Sequence, residues 1–522
     1  MVFLSWRSIL SLRFQKTTLL ATALLGGSVF AGGVSSNHGL DDLIIRLGAG
    51  NEPTGLNVSV AQVEADSGGN HGPDTTHADF VGKSFVYMSG TTGVSGHATS
   101  IGRRVYGSGA LGLAPGIENV YIYSASGWVQ SNFLHINGSN PSSPPGSVSI
   151  FNNSWAGSLG SNSLDSQALR RADWVVEGYD AMMINGVSNS GDHYPLMTFG
   201  FNCVSVGMQN GDHTAGVVPV GYDSSGAQIP LIVAVQSTTS AATGVVSAAT
   251  ALLTETAETH PTTSGNYFAL LSETKKACLL AGGNHLVDWT NNPETTGVNR
   301  GRTSQPIDST FGVGTVNVDR SWQIMAGGQH DSSTDTTDLI AAPYAGWETW
   351  LLSGNQSRYI KFDVATLADE ISVVLTWHQS AINNFGSYSI ADFDLVLWEY
   401  QNGKLVDITG DAGLGVFGSG NVVSESAIDN VEHLFVKNLA AGEYVLEVRR
   451  VDASSSSRVF SVAWLFPEQV GIPGDVNGDG VVNVSDILML IVAWGTCDGC
   501  PEDLNGDGLV NVNDIIELIS NW

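Results

Sequence analysis

The chain has 522 residues, 42% of them apolar, which exceeds what one core needs and implies several folding units. Its formal net charge of −29 argues against nucleic acid or anionic membrane partners and favours solubility, with calcium as a natural counter-ion. The four cysteines are too few for a disulfide scaffold, although "CDGC" (Cys497, Cys500) invites a local bridge; the spacing leaves Cys203 and Cys278 open to pairing or to burial as free thiols.

The first element is a basic stretch (Arg7, Arg13, Lys16) followed by the apolar run "TTLLATALLGGSVFA" and small residues at Val29 and Ala31. This pattern predicts a secretory signal peptide over 1–31, and hence a secreted or cell-surface protein. The run is short for a bilayer, and no later run approaches about 20 apolar residues, so no transmembrane span is expected.

Over 32–328, short aliphatic runs ("VSVAQVE", "NVYIYSAS", "SVSIFNNSW", "AMMINGVSNSG", "NCVSVGMQ", "PLIVAV") alternate with helical patterns such as "SQALRRADWVVEGYD" and "SAATGVVSAATALLTETAETH". Near-continuous apolar strands alternating with helices predict an α/β unit, a mostly parallel sheet covered on both faces. A polar stretch over 329–340 is expected to be a linker. From 341 to 467 the pattern changes to period two ("EISVVLTWHQ", "DFDLVLWEY", "EYVLEVRRV", "RVFSVAWLF") between Gly/Ser/Asn turns, which predicts an antiparallel β-sandwich. A second linker is expected over 468–473 and a small helical module over 474–522.

That last module is an internal repeat. "GDVNGDGVVNVSDILMLI" returns as "EDLNGDGLVNVNDIIELI". Each copy sets oxygen donors at alternate positions of a loop of about 12 residues, with glycine at the sixth, and leads straight into an apolar helix. The first loop offers Asp475, Asn477, Asp479, the Val481 carbonyl, Asn483 and Asp486; the second offers Asp503, Asn505, Asp507, the Leu509 carbonyl, Asn511 and Asp514. Two calcium ions are therefore expected, their binding coupled to folding. With aspartate at the last position of each tandem loop, the module resembles a type I dockerin. The resemblance implies docking to a cohesin-like partner, with specificity carried at Val484-Ser485 and Val512-Asn513.

Chemistry in the first unit rests on residues scattered along the chain. "TTSAATGVVSAATALL" sets Ser240 at the entry of an Ala-rich helix, where backbone N–H groups and the dipole stabilise negative charge. "VSGHATSIGR" sets His97 at the start of another helix, and "GVSNSG" presents Asn189. Taken singly, these are a loop histidine, a helix N-cap and a turn residue. In chain order, with "LGLAPGIENVYIYSA" and "FNNSWAG", they resemble the subtilisin-like serine proteases across 32–328. His97 falls on the family's His-Gly-Thr motif, Ser240 on its Gly-Thr-Ser-Met-Ala-Thr-Pro motif and Asn189 on its oxyanion motif. "FNNSWAG" falls on the segment that lines the substrate cleft.

The departures are specific. Thr238 replaces the glycine before the nucleophile, Gly244 replaces the proline after it, and the histidine motif reads His-Ala-Thr-Ser. The acid strand ends in Glu64 where the family has aspartate. A carboxylate that accepts the histidine Nδ1–H is all the chemistry requires. One extra methylene moves it by about 1.5 Å, however, and a misplacement of ~1 Å can cost on the order of 10²-fold in rate. Asp66 and Asp74 are rival acids; Gln62 shares the strand parity of Glu64 but carries no charge. The resemblance implies a serine endopeptidase acting on protein or peptide substrates through Glu64, His97 and Ser240, with Asn189 at the oxyanion. The alternative is a catalytically impaired subtilase-fold binding or display protein.

Overall fold

In the computed structural model, the described residues are Arg13–Phe14, 33–136, 138–337 and 339–466, then 474, 476, 482, 484–497, 500 and 502–520. Residues 1–32 apart from Arg13–Phe14, residues 467–473 and most of the first loop of the repeat (Asp475, Asn477, Asp479, Val481 and Asn483) lie outside them, and with them most of the expected signal segment, the expected second linker and most of the ligands expected of that loop.

Aliphatic runs in the first unit form seven strands: β1 (Ser59–Glu64), β2 (Ser84–Tyr87), β3 (Asn119–Ser124), β4 (Val148–Asn153), β5 (Met182–Gly186), β6 (Val204–Met208) and β7 (Ile232–Ala234). They make one sheet in the order β7-β6-β5-β4-β1-β3-β2, with every pairing parallel. Strand β1 is buried along its whole length, as a central strand covered on both faces must be. Chain order reverses across it, β3 lying on one side and β4 on the other. In open parallel sheets such a switch point leaves a crevice beyond the carboxyl ends of the strands.

Helices cover both faces. Val60, Ile122, Ile150, Ile184 and Val206 pack into one core with α1 (Leu40–Leu47), α2 (Gly96–Val105) and α4 (Thr239–Thr259). Ala61, Val63, Tyr123, Phe151 and Met183 pack into the other with α3 (Asn162–Tyr179). Alternate residues of each strand thus enter different cores, because side chains leave a strand on alternating faces. The chain is α/β in this unit, as its sequence pattern predicts.

Residues from 345 onward, joined at one edge by Arg302–Thr303, form two sheets whose other pairings are antiparallel. One has the order β8 (Ala345–Leu352), β14 (Arg458–Leu465), β10 (Ala368–Trp377), β12 (Val431–Leu439) and Ser419–Gly420. The other runs Arg302–Thr303, Val423–Ser424, β11 (Phe393–Gln401), β13 (Gly442–Arg450) and β9 (Gln356–Val364). Their facing side chains, among them Phe362, Val373, Leu397, Leu446 and Trp464, make one core.

The two units are closely joined. Helix α5 (Ser272–Ala281) is buried at all ten positions, and with α6 (Val318–Gly327) it packs into the same core as Trp347, Val374 and Ala463 of the five-stranded sheet. Arg302–Thr303, from within 32–328, pairs in parallel with Val423–Ser424 as an edge strand of the other sheet. The stretch expected as a linker bridges to sandwich strands through Gln329–Trp347 and Ser333–Tyr359. In the tail, Val484–Val492 (α7) and Val512–Ser520 (α8) are helical, as the repeat predicts.

Candidate active site

Glu64 is the last residue of β1 and wholly buried, at the carboxyl end of the strand at the switch point. Its Oε2 accepts a hydrogen bond from His97 Nδ1 at 2.6 Å, while the His97 ring remains 42% exposed toward solvent. His97 is the second residue of α2, whose N-terminus is capped by Ser95 Oγ accepting from the Ala98 amide at 3.2 Å. The adjacent carboxylate raises the pKa of His97 above the ordinary imidazole value, burial opposing it. An imidazole held this way presents Nε2 outward and keeps its proton on Nδ1 when neutral.

Of the three carboxylates considered, Glu64 is the one bonded to His97. Asp66 Oδ1 instead meets His71 Nδ1 at 3.1 Å, and Asp74 turns onto Thr76, accepting from its hydroxyl at 2.7 Å. The longer arm of glutamate thus reaches the ring directly, at 2.6 Å.

Ser240 is the second residue of α4; the N-cap is Thr238, whose hydroxyl accepts from the Ala241 amide at 3.1 Å. Threonine at this position therefore caps the helix end. Asn189 is tied to the same turn: its Oδ1 accepts from the Thr239 amide at 2.8 Å and the Thr239 hydroxyl at 3.1 Å. A backbone amide only donates, so the atom facing it must be the oxygen, and the Asn189 Nδ2 is left to donate elsewhere.

Ser240 Oγ donates to the Ser154 carbonyl at 3.1 Å, and no hydrogen bond joins it to His97 among the described residues. Ser154 is buried in a polar brace that the sequence pattern did not reveal. Its single hydroxyl proton is shared between two acceptors, the Ser240 carbonyl and the Asn152 Oδ1, each 3.0 Å from Oγ, and Asn152 Nδ2 donates to Ser247 of α4 (2.9 Å). Asn153 Nδ2 donates to Asn185 Oδ1 at 2.8 Å, linking β4 to β5. Buried polar residues at the end of an otherwise apolar strand run were the available signal, since such groups must find partners. Where α4 meets the sheet, a Cβ on Gly186 would lie 2.7 Å from Thr243 Oγ1, so β5 and the first turns of α4 approach as closely as glycine allows.

The second loop of the repeat is compact. Asp514 accepts from the Leu504 amide (2.9 Å) and the Asn511 amide (2.7 Å), and Asp503 from the Gly508 amide (2.8 Å). In the first loop, buried Asp486 accepts likewise from Val476 at 2.8 Å. The second loop's donors (Asp503, Asn505, Asp507, Leu509 carbonyl, Asn511, Asp514) are all oxygen, a hard set suited to calcium. Among the described residues, no group of three or more His, Cys, Asp or Glu gathers in a metal-holding arrangement. Cys497 and Cys500 are bridged with their Cα atoms 5.8 Å apart, and Cys203 and Cys278 are buried free thiols. Asp394 of the second unit is paired with Arg449 at 2.9 Å. Among the described residues, no helix is long and apolar enough to cross a membrane.

The fold and this constellation define a parallel α/β protein in which a buried acid holds a histidine beyond the strand ends, with Ser240 at the head of α4, the helix that packs against α2. No family model and no curated protein matches the chain. Among solved structures, it is similar to the prenylagaramide maturation protease PagA, at 17% identity over 52% of this chain and 94% of that one, with a TM-score of 0.34. The self-cleaved protease domain of PatA matches at 17% identity over 52% of this chain and 97% of its own, with a TM-score of 0.34. Tripeptidyl peptidase 2 matches at 12% identity with a TM-score of 0.30, over 71% of this chain and 40% of its own length.

Proposed function

We propose that the chain is a secreted serine endopeptidase in which Ser240 attacks the scissile carbonyl. His97 takes the serine proton and later delivers it to the leaving amine, while Glu64 orients and charge-balances the ring. Asn189 Nδ2 and the Ser240 amide at the head of α4 are the oxyanion donors. The observation that carries this reading is the 2.6 Å bond from His97 Nδ1 to a fully buried Glu64 at the switch point of the sheet. A structural ion pair does not require a half-exposed histidine at the carboxyl end of the strand where chain order reverses. For attack, Ser240 Oγ must leave the Ser154 carbonyl by rotation about χ1, a change that active-site hydrogen bonds commonly undergo when substrate binds.

That bond to Ser154 is also what favours the second reading, a catalytically impaired subtilase-fold protein used for binding or display. A fluorophosphonate probe separates the two. Stoichiometric labelling of Ser240 in the folded, calcium-supplemented protein, lost in Ser240→Ala, is expected for the peptidase; no labelling would favour the impaired scaffold. Cleavage of denatured casein separates a peptidase from a hydrolase of other acyl substrates.

The tail completes the proposal. Asp475, Asn477, Asp479, Val481, Asn483 and Asp486 would hold one calcium ion, and Asp503, Asn505, Asp507, Leu509, Asn511 and Asp514 a second. Calcium there neutralises crowded carboxylates and supplies folding energy. The exposed apolar side chains of α7 and α8 (Leu488, Ile491, Ile516 and Ile519 among them) support docking to a cohesin-like partner.

A further inference from the structure

Gln62 stands two residues before Glu64 on β1, so both side chains leave the strand on the face covered by α2. It is wholly buried, and both ends of its amide are engaged. Nε2 donates to Glu64 Oε1 at 2.8 Å and to the Ala98 carbonyl at 2.8 Å, while Oε1 accepts the Tyr106 hydroxyl at 2.6 Å. A carbonyl and an ionised carboxylate only accept, so the nitrogen must face them and the amide orientation is determined by its neighbours. Ala98 directly follows His97. One amide therefore grips both the acid and the backbone of the helix that carries the base.

Tyr106 holds the other end. It is the C-cap of α2, fully buried, and a Cβ on Gly102 would lie 2.2 Å from its hydroxyl, so the helix yields a side chain to admit the phenol. Burial, and the negative charge of Glu64 beyond it, push the Tyr106 pKa well above the ordinary value and keep its proton available for donation.

We infer that Gln62 is a positioning residue that, with Tyr106, clamps the second oxygen of Glu64 and so aims the first at His97 Nδ1. The inference rests on the Glu64, His97 and Ser240 assignment. Its physical need follows from the acid itself. Glutamate has one more rotatable bond than aspartate, and its terminal torsion is broad and roughly two-fold. Anchoring Oε1 removes that freedom, and the hydrogen bond to Ala98 sets the spacing between the acid strand and the base helix.

The test is a double-mutant cycle on the full-length protein, read as the fluorophosphonate labelling rate and as kcat and KM on a peptide. Gln62→Leu is expected to lower kcat and the labelling rate about 10- to 100-fold with KM within about twofold, the scale of a small misplacement. In a Glu64→Gln background the same change is expected to cost less than about twofold, because the group it acts through has gone. Equal costs in both backgrounds, or no cost in the wild type, would overturn the inference. Should Gln62→Leu fail to fold, Tyr106→Phe keeps the ring and removes the donor; it should lower kcat non-additively with Glu64→Gln, and additive behaviour overturns the clamp. Proton NMR of the folded protein supplies a readout independent of turnover. A low-field His97 Nδ1–H resonance should be present in the wild type and lost or broadened in Gln62→Leu. If that holds while no serine is labelled, the clamp stands and the peptidase reading fails; an unchanged resonance in Gln62→Leu sinks the clamp itself.

Discussion

Replacing Glu64 with glutamine changes one atom and almost no volume, yet the surroundings allow it no satisfactory orientation. His97 Nδ1–H approaches one oxygen of Glu64 at 2.6 Å and Gln62 Nε2–H approaches the other at 2.8 Å, so both neighbours donate. A carboxylate accepts from both, whereas an amide has one oxygen and one NH₂. If the new NH₂ faces Gln62, two donors collide in a fully buried site, at about 1–3 kcal/mol. If it faces His97, the ring must turn its lone pair inward and carry its proton on Nε2, the tautomer that cannot accept from Ser240. The wrong tautomer costs on the order of 10⁴-fold in kcat, which is about 5.5 kcal/mol of barrier. The assay is the second-order labelling rate of Ser240 alongside kcat/KM on a peptide, with thermal unfolding to confirm the fold. Activity retained within a few-fold would show that Glu64 is not the orienting acid, however short its bond to His97.

The same ion pair sets the pH dependence. Because Glu64 raises His97 above its ordinary 6.5, kcat/KM should fall on the acid side through an inflection above that value, and Glu64→Gln should move the inflection downward. In stability, a group whose folded pKa is raised contributes fully below its unfolded value and loses that contribution as pH rises through the folded one, so thermal unfolding should register His97 on the rising limb. An acid limb at the same pH in wild type and variant refutes the coupling. Gly186→Ala should lower stability by about 1–3 kcal/mol and depress Ser240 labelling, because the new Cβ would meet Thr243 Oγ1 at 2.7 Å and displace the first turns of α4; unchanged melting and labelling would count against that packing. Chelation should melt the tail and leave the labelling rate of Ser240 unchanged. Calorimetry in EDTA and in calcium should therefore show a separate tail transition that moves upward with calcium and is lost in Asp503→Ala. A labelling rate that collapses with chelation would place a metal requirement in the α/β unit instead.

Much of the site was legible because strand alternation and helix entry are local properties. "VSVAQVE" shows a buried strand ending on a carboxylate, and its period of two places Gln62 and Glu64 on one face. "TTSAATGVV" shows a hydroxyl at a helix start, and the duplicated Asp/Asn loops declare an oxygen-ligand module without any tertiary information. What the sequence could not supply was the element lying across each face. Whether Glu64 or Asp66 meets His97 depends on where α2 lands over β1, and that in turn depends on long-range packing of Ile101 and Val105 against the sheet. The bonds of Asn189 to Thr239, of Ser154 to Ser240 and of Tyr106 to Gln62 all join residues distant in the chain. So does the strand Arg302–Thr303, which leaves the α/β unit to complete a sandwich sheet. Periodicity determines which way a side chain points; only the folded arrangement decides what it meets there, because that partner comes from a segment whose position local pattern does not constrain.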